Sequence, residues 1–340
     1  GCGKSVTARS ITRLVPPPGR IEAGAIWYRG ENLVTKSEEE IRQIRGKKIS
    51  MVFQDPLTYL NPLYTIGEQI SEVIMLHQDV NALVFDETVG EIEGRLEAPN
   101  LSDEEKAKLV QQLNALKEKP PKSSNSALKK KALGKAIEAL RIVNMPDPEK
   151  VVNQYPHELS GGMRQRAIIA MALACNPDLL IADEPTTALD VTIRAQILDL
   201  LTELKQKFNM SILLITHDMG TVARTCDRVA VMYAGNIIEL AETRALFKRP
   251  KHPYTVGLLK SVPKLHQETV ELASIPGSVP DLINPPSGCR FHPRCAFARG
   301  ACLKEKPPPT EVERGHFVMC HVYGKRDDFK DVVEGKLSGI

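Results

Sequence analysis

Three short apolar runs, each ending in a polar residue, constrain this chain more than any other feature. Lys48-Ile49-Ser50-Met51-Val52-Phe53 ends at Gln54, Asp178-Leu179-Leu180-Ile181-Ala182 ends at Asp183-Glu184, and Ser211-Ile212-Leu213-Leu214-Ile215-Thr216 ends at His217. Runs this short and nearly continuous suit strands covered on both faces, as in a parallel sheet between helices. In open α/β sheets a ligand sits beyond the carboxyl ends of the strands, so polar residues at three such ends predict a site there. Helices are expected over Lys4 to Leu14, Gly162 to Ala174 and Val191 to Phe208, the last with Ile193, Ile197, Leu200, Leu201 and Leu204 at helical spacing. Residues 21–34 alternate and read as a hairpin arm, and Arg228 to Leu240 reads as two strands around Ala234-Gly235-Asn236.

With 340 residues the chain suits one large domain with an appendage, or two domains. Its 45 Lys and Arg nearly balance 42 Asp and Glu, which gives no polyanion footprint, so no nucleic-acid partner is expected. Apolar runs such as Ala167 to Ala174 fall far short of the ~18–20 residues of a membrane-spanning helix. Residues 79–135 differ from the rest, being rich in Lys, Glu, Ala and Leu and broken by Pro99, Pro120-Pro121 and Ser123-Ser124. They read as an exposed, partly helical insertion, with Lys129-Lys130-Lys131 a solvated helix end.

The chain opens on Gly1-Cys2-Gly3-Lys4-Ser5, the back half of a phosphate-binding loop G-x-x-x-x-G-K-[ST]. Backbone N–H groups of such a loop cradle phosphates at a helix N-terminus, the lysine reaches the β- and γ-phosphates, and the serine hydroxyl ligates Mg²⁺. Asp183 at a strand end suits the second Mg²⁺ contact, and Glu184 beside it suits polarising a water as general base. The bland alternative for Glu184 is a cap on the helix begun at Thr186-Thr187. Ser160-Gly161-Gly162, before another helix, offers a second set of N–H groups and a hydroxyl for phosphate.

In this order, Lys4-Ser5, Leu159-Ser160-Gly161-Gly162-Met163-Arg164-Gln165 and Ile181-Ala182-Asp183-Glu184 resemble the ATP-binding subunits of ABC transporters. The resemblance implies an α/β fold, a P-loop NTPase of the ABC ATPase type: a mixed sheet core, an antiparallel β arm and a helical subdomain. On it the ATPase domain covers residues 1–250, with an extended helical subdomain over about 70–175, and the first glycine and feeding strand of the loop precede residue 1. Gln54 resembles the family's Q-loop glutamine, touching the Mg²⁺ shell, and His217 the switch histidine at the γ-phosphate. Asp190 resembles the D-loop aspartate at the dimer interface, and Ser160, Gly161 and Gly162 complete the ATP site of the opposite subunit. Phe53-Gln54-Asp55-Pro56, Leu60-Asn61-Pro62, Thr65-Ile66-Gly67-Glu68-Gln69, Tyr155-Pro156-His157-Glu158 and His252-Pro253-Tyr254-Thr255 narrow the match to the oligopeptide/dipeptide importer subfamily, as its "D"-type ATPase.

That subfamily implies an "F"-type ATPase partner, two membrane permeases facing segment 55–69, an extracytoplasmic solute-binding protein, and a peripheral place on the cytoplasmic face of the membrane. Relatives that import oligosaccharides or nickel supply the alternative solutes. A soluble ABC ATPase of DNA repair is the alternative of another class, but the coiled coils or C-x₂-C modules usual there are missing here.

Residues 251–340 form a small irregular extension that carries Cys289, Cys295, Cys302 and Cys320, with five, six and seventeen residues between them. The segment is rich in proline and poor in apolar residues, so a staple is expected. Four thiolates suit a [4Fe–4S] cluster or zinc. Zinc usually shows C-x₂₋₄-C pairs, absent here, and some relatives carry an iron–sulfur cluster on this quartet. A quartet without metal stays open.

Overall fold

A computed structural model describes residues 2–54, 59–98, 101–118, 121–187, 189–262 and 274–324. The chain divides into two compact bodies, one of Gly24–Leu213 and one of Gly1–Ala23 with Leu214–Ile340. The first helix, α1 (Lys4–Ile11), belongs to the latter.

In the body Gly24–Leu213 the arm is shorter than the alternation suggests. Strands β1 (Trp27–Tyr28) and β2 (Glu31–Asn32) pair antiparallel over two residues each. The arm is anchored at Asp178, which accepts from the Tyr28 hydroxyl and pairs with Arg29 at 2.9 Å. Helix α2 (Glu38–Ile44) starts at a reciprocal cap between Ser37 and Glu40. It leads into β3 (Ile49–Val52) and then α3 (Ile66–His77), which has the same cap between Thr65 and Glu68. Helices α4 (Val80–Leu96), α5 (Asp103–Glu118) and α6 (Asn125–Ile142) follow, then α7 (Pro148–Val151), α8 (Gly161–Leu173), β4 (Leu179–Asp183) and α9 (Val191–Lys207).

The expected parallel pairing is present: Ile49 stands opposite Leu179 and Val52 opposite Ala182. The strand order is β3-β4-β5, with β5 spanning Ser211–Ile215 and the division between bodies falling inside it. Leu180, Ile181 and Ala182 are fully buried, as strands covered on both faces require. The insertion splits into two kinds of helix. α4 and α5 are largely solvated and held by ion pairs, Lys117–Glu93 and Lys131–Glu87, both at 2.9 Å. α6, by contrast, is core rather than decoration. Ala132, Ala136, Ala139 and Leu140 are buried in one cluster with Ile70, Ile169 and Leu180. Small residues about four apart give a weak apolar signal in sequence, yet they let α6 lie close against α3 and α8.

In the other body, α10 (Met219–Thr225) precedes the hairpin β6 (Arg228–Tyr233) and β7 (Asn236–Glu242), joined through Ala234-Gly235. Both turn residues have positive φ, 46° and 80°, as a tight two-residue hairpin turn requires. Helices α11 (Thr243–Lys248), α12 (Pro253–Lys260) and α13 (Gly300–Lys304) and strands β8 (Thr310–Glu313) and β9 (His316–Val318) complete it. The tail orders by docking: β9 pairs with β7, giving an antiparallel sheet in the order β6-β7-β9-β8. Phe291 packs edge-on to buried Tyr233 and to Tyr254, with ring centroids 5.2 and 5.5 Å apart. Apolar surface of the hairpin thus adds to a small cluster of the tail's own, Cys302, Val318, Cys320 and Val322, which its composition does not lead one to expect.

Candidate functional site

The strand-end site follows from register. Because Val52 pairs with Ala182, the residues two further along, Gln54 and Glu184, leave the sheet side by side. Gln54 Nε2 donates to Glu184 Oε2 at 3.0 Å. The same oxygen accepts from Thr187 Oγ1 at 3.0 Å, so two donors orient one carboxylate. Glu184 has φ 46°, a left-handed conformation uncommon for a residue with a side chain, which turns the chain sharply after β4. Asp183 before it is 2% exposed. Thr187 was not foreseen as an orienting group, although its place three residues after Glu184 in a turn was the available signal.

The second cluster in this body joins the expected signature, Ser160-Gly161-Gly162, to the segment of Leu189 and Asp190 expected as the D-loop. Ser160 is the N-cap of α8, its hydroxyl accepting from Met163 N at 3.4 Å, and Gly161 opens the helix. A Cβ on Gly162 would lie 2.8 Å from Ile193 Cγ2, and one on Gly161 3.5 Å from Leu189 Cδ2. The glycines therefore let α8 start against the segment that ends at Asp190, itself the N-cap of α9, accepting from Ile193 N at 2.9 Å. Ser160 and Gly161 remain exposed.

An apolar loop stands near Gln54. Leu63, Tyr64 and Tyr59 are 79%, 52% and 42% exposed, and Tyr59 stacks on Phe53 at 4.1 Å. Buried Gln69 holds the loop's shape, donating to the carbonyls of Asn61 and Tyr64 and accepting from Asn61 N. Asp55 and Pro56 of the expected permease-facing segment lie outside the described residues.

The expected phosphate-binding loop belongs to the other body. Gly3 caps α1 at φ 92°, and no acidic residue occupies the first turn, so the helix end is receptive to an anion. Lys4 and Ser5 begin the helix, Cys2 precedes it, and Gly1 lies outside the described residues. The Cys2 carbonyl accepts from Gly235 N at 2.9 Å, which ties the loop to the β6–β7 turn. His217 is exposed after β5 in this body, just before Asp218, which caps α10.

The four tail cysteines gather around the docking face. Cys302 and Cys320 are buried with Val318 and Val322, and Cys289 packs against them. All seven cysteines of the chain are free thiols. Burial pushes Cys295 up to about 11 and Cys320 up to about 12, and nearby thiols of the quartet add to both shifts. Backbone N–H groups two residues on, from Phe291, Phe297 and Val322, oppose the shift at Cys289, Cys295 and Cys320 respectively. Among the described residues, no group of three or more His, Cys, Asp or Glu side chains is placed to hold a metal ion. His316 instead bonds Glu239 at 2.8 Å, and His321 Nε2 bonds the Glu305 carbonyl at 2.8 Å.

Comparison with known proteins adds the wider frame. The ABC transporter family matches residues 1–187, and the oligopeptide/dipeptide transporter C-terminal region matches residues 238–302. The chain is 46% identical to the oligopeptide transport ATP-binding protein OppD of Bacillus subtilis, covering 99% of this chain and 82% of that protein. It is 45% identical to a probable peptide ABC transporter ATP-binding protein, y4tR, of Sinorhizobium fredii, over 94% of this chain and 82% of the relative. The dipeptide transport ATP-binding protein DppD of Bacillus subtilis is 42% identical, with 96% and 84% covered. Among solved structures, a dimeric post-hydrolysis state of the ATP-binding cassette MJ0796 with ADP and Pi matches with a TM-score of 0.50 at 24% identity. That match covers 72% of this chain and 82% of the other, and it supports the fold alone. The chain therefore belongs to the ATP-binding proteins of ABC transporters, in the group that carries the oligopeptide/dipeptide transporter C-terminal region.

Proposed function

We propose that this chain is the ATP-hydrolysing, energy-coupling subunit of an importer for oligopeptides or dipeptides. The observation that carries the reading is the Gln54–Glu184 hydrogen bond at the ends of two parallel strands, with Asp183 buried beside it. Glu184 acts as general base toward the attacking water, kept in place by Gln54 and Thr187. Asp183, Ser5 and Gln54 serve the Mg²⁺ ion, and Cys2, Gly3 and Lys4, with Gly1 ahead of them, hold the phosphates of ATP. His217 steadies the γ-phosphate. Ser160, Gly161 and Gly162 close on the ATP of a second ATPase subunit, with Asp190 at the same interface. That second subunit is a dissimilar, "F"-type ATPase rather than another copy of this chain.

Coupling runs through the loop of Tyr59, Leu63 and Tyr64, an apolar surface suited to a permease segment on the inner face of the membrane. Among the described residues no helix is long and apolar enough to cross a membrane, which fits a peripheral subunit. Selection of the solute, with peptide favoured over oligosaccharide or nickel, falls to a binding protein and the permeases.

The donor chemistry of the tail fits a [4Fe–4S] cluster better than zinc. Four soft thiol ligands sit within electrostatic reach of one another, and three have an N–H group two residues on that favours the thiolate. No three of them close on a single ion position. Bound there, a cluster would tie the segments of Cys289, Cys295, Cys302 and Cys320 together. Metal analysis of anaerobically purified protein should find about four irons and four sulfides per chain. One zinc and no iron would overturn the cluster and leave the transport reading intact.

The ATPase reading is tested by Glu184→Gln. The amide keeps an oxygen for both donors but loses basicity, so ATP binding should persist while turnover falls about 10²–10⁴-fold. Turnover within about threefold of wild type, against that expected loss, would remove Glu184 as the base.

A further inference from the structure

The tail reaches the nucleotide loop through two consecutive contacts inside one body. Arg290, next to Cys289, donates through Nη1 to the Ala234 carbonyl. Gly235 N, the next backbone group along, donates to the Cys2 carbonyl at 2.9 Å. Cys2 leads directly into Gly3, Lys4 and Ser5. The intermediate turn lies close to both partners. Ala234 is fully buried at φ 46°, a Cβ on Gly235 would stand 2.9 Å from Arg290 Nη1, and one on Gly3 would stand 3.7 Å from Gly235 Cα.

The chain on both sides of Arg290 is anchored. Its neighbour Phe291 packs on Tyr233, the last residue of β6. Arg294 stacks over the same ring and donates to the carbonyls of Ile275 and Pro276 at 2.9 and 2.7 Å. Cys289 N donates to the Cys302 carbonyl at 2.8 Å, which fixes the chain on the other side of Arg290.

We propose that Arg290 is a positioning residue for the phosphate loop, so that the docked, cysteine-bearing tail sets the affinity for ATP. The proposal rests on the reading of Gly1 to Ser5 as that loop. Arg290 acts through the turn: it fixes the turn, and the turn fixes the carbonyl from which the loop departs. A charged donor aimed at a buried carbonyl is among the stronger hydrogen bonds, and losing it exposes an unsatisfied acceptor. The tail is therefore more than an appendage that aids assembly. Its order reaches the phosphate loop through two hydrogen bonds, starting one residue from a cysteine of the quartet.

The test uses the intact protein and measures affinity for ATP by a fluorescent analogue alongside steady-state hydrolysis. Arg290→Ala should weaken ATP binding and raise KM about 5–50-fold, with kcat at saturating ATP within about twofold, because only loop position is lost. Arg290→Lys, which can still donate to the Ala234 carbonyl, should recover most of the affinity. Gly235→Ala places a Cβ against Arg290 Nη1 at positive φ and should reproduce the Arg290→Ala phenotype, which keeps the proposal testable if Arg290→Ala does not fold. Wild-type ATP affinity in a folded Arg290→Ala or Gly235→Ala protein overturns the proposal, as does an equal fall in kcat at unchanged KM. Lys4→Ala serves as the separate control. If it binds ATP normally, the phosphate-loop reading fails; if it loses binding while Arg290→Ala does not, only the link to the tail fails.

Discussion

Replacing Glu239 by Ala should detach the tail from the hairpin. Glu239 lies in the middle of β7, is 1% exposed, and accepts three hydrogen bonds: Lys251 N at 2.7 Å, His252 N at 2.9 Å and His316 Nε2 at 2.8 Å. One carboxylate thus joins β7 to the start of α12 and to β9. Truncation leaves the His252 N–H and His316 Nε2 buried without an acceptor, at about 1–3 kcal/mol each, and opens a carboxylate-sized void. The summed cost is about 3–5 kcal/mol, a large part of the stability of an ordinary domain. Glu239→Gln should cost less, because one oxygen remains, yet its NH₂ must face one of three donors. Limited proteolysis and hydrogen exchange read the effect locally: cleavage should appear within residues 289–324, and the amides of β9 should lose protection before those of β3 and β4. Protection of β9 unchanged in Glu239→Ala would refute the argument that this carboxylate staples the tail.

Other expectations follow from single observations. Burial lowers His252 to about 3 from the ordinary 6.5, so the folded protein keeps it neutral where the unfolded chain takes up a proton. The stability this represents is present above pH 6.5 and is lost as pH falls from 6.5 toward 3, at up to about 1.4 kcal/mol per pH unit. Urea midpoints between pH 7.5 and 5 should show that slope, and His252→Phe should flatten it. Gly162→Ala should impair hydrolysis because its Cβ meets Ile193 Cγ2 at 2.8 Å, at a packing cost of about 1–3 kcal/mol. Adding Ile193→Ala, which removes the obstructing methyl, should recover part of the activity, and no recovery would mean that the clash is not the cause. Cys320→Ser should leave ATP binding measurable but make the tail a protease substrate, since Cys320 is buried in the tail's own apolar cluster.

Much of the candidate site is legible because strand-end chemistry survives in a linear sequence. An apolar run followed by Gln54 or by Asp183-Glu184 needs no tertiary information to be recognised. That these two ends touch depended on register, and register became readable only when Val52 was seen opposite Ala182. The core role of α6 was hidden for a different reason. Ala132, Ala136 and Ala139 contribute little hydrophobicity individually, and their value lies in allowing a close helix approach. The tail's composition suggests no core, yet it buries a small cluster around Cys302, Val318 and Cys320 and gains the rest by docking on Tyr233 and β7. Arg290 was invisible in sequence, because its partner Ala234 lies 56 residues away and is recognised only through a main-chain carbonyl.

The central claim is energy coupling, and the most direct measurement is ATP hydrolysis by the intact protein assembled with its permeases in proteoliposomes. Peptide-loaded binding protein on the outer side should raise hydrolysis and move peptide inward, and Glu184→Gln should abolish both while retaining bound ATP. Hydrolysis indifferent to permease and peptide, or peptide uptake that persists with Glu184→Gln, would contradict the account.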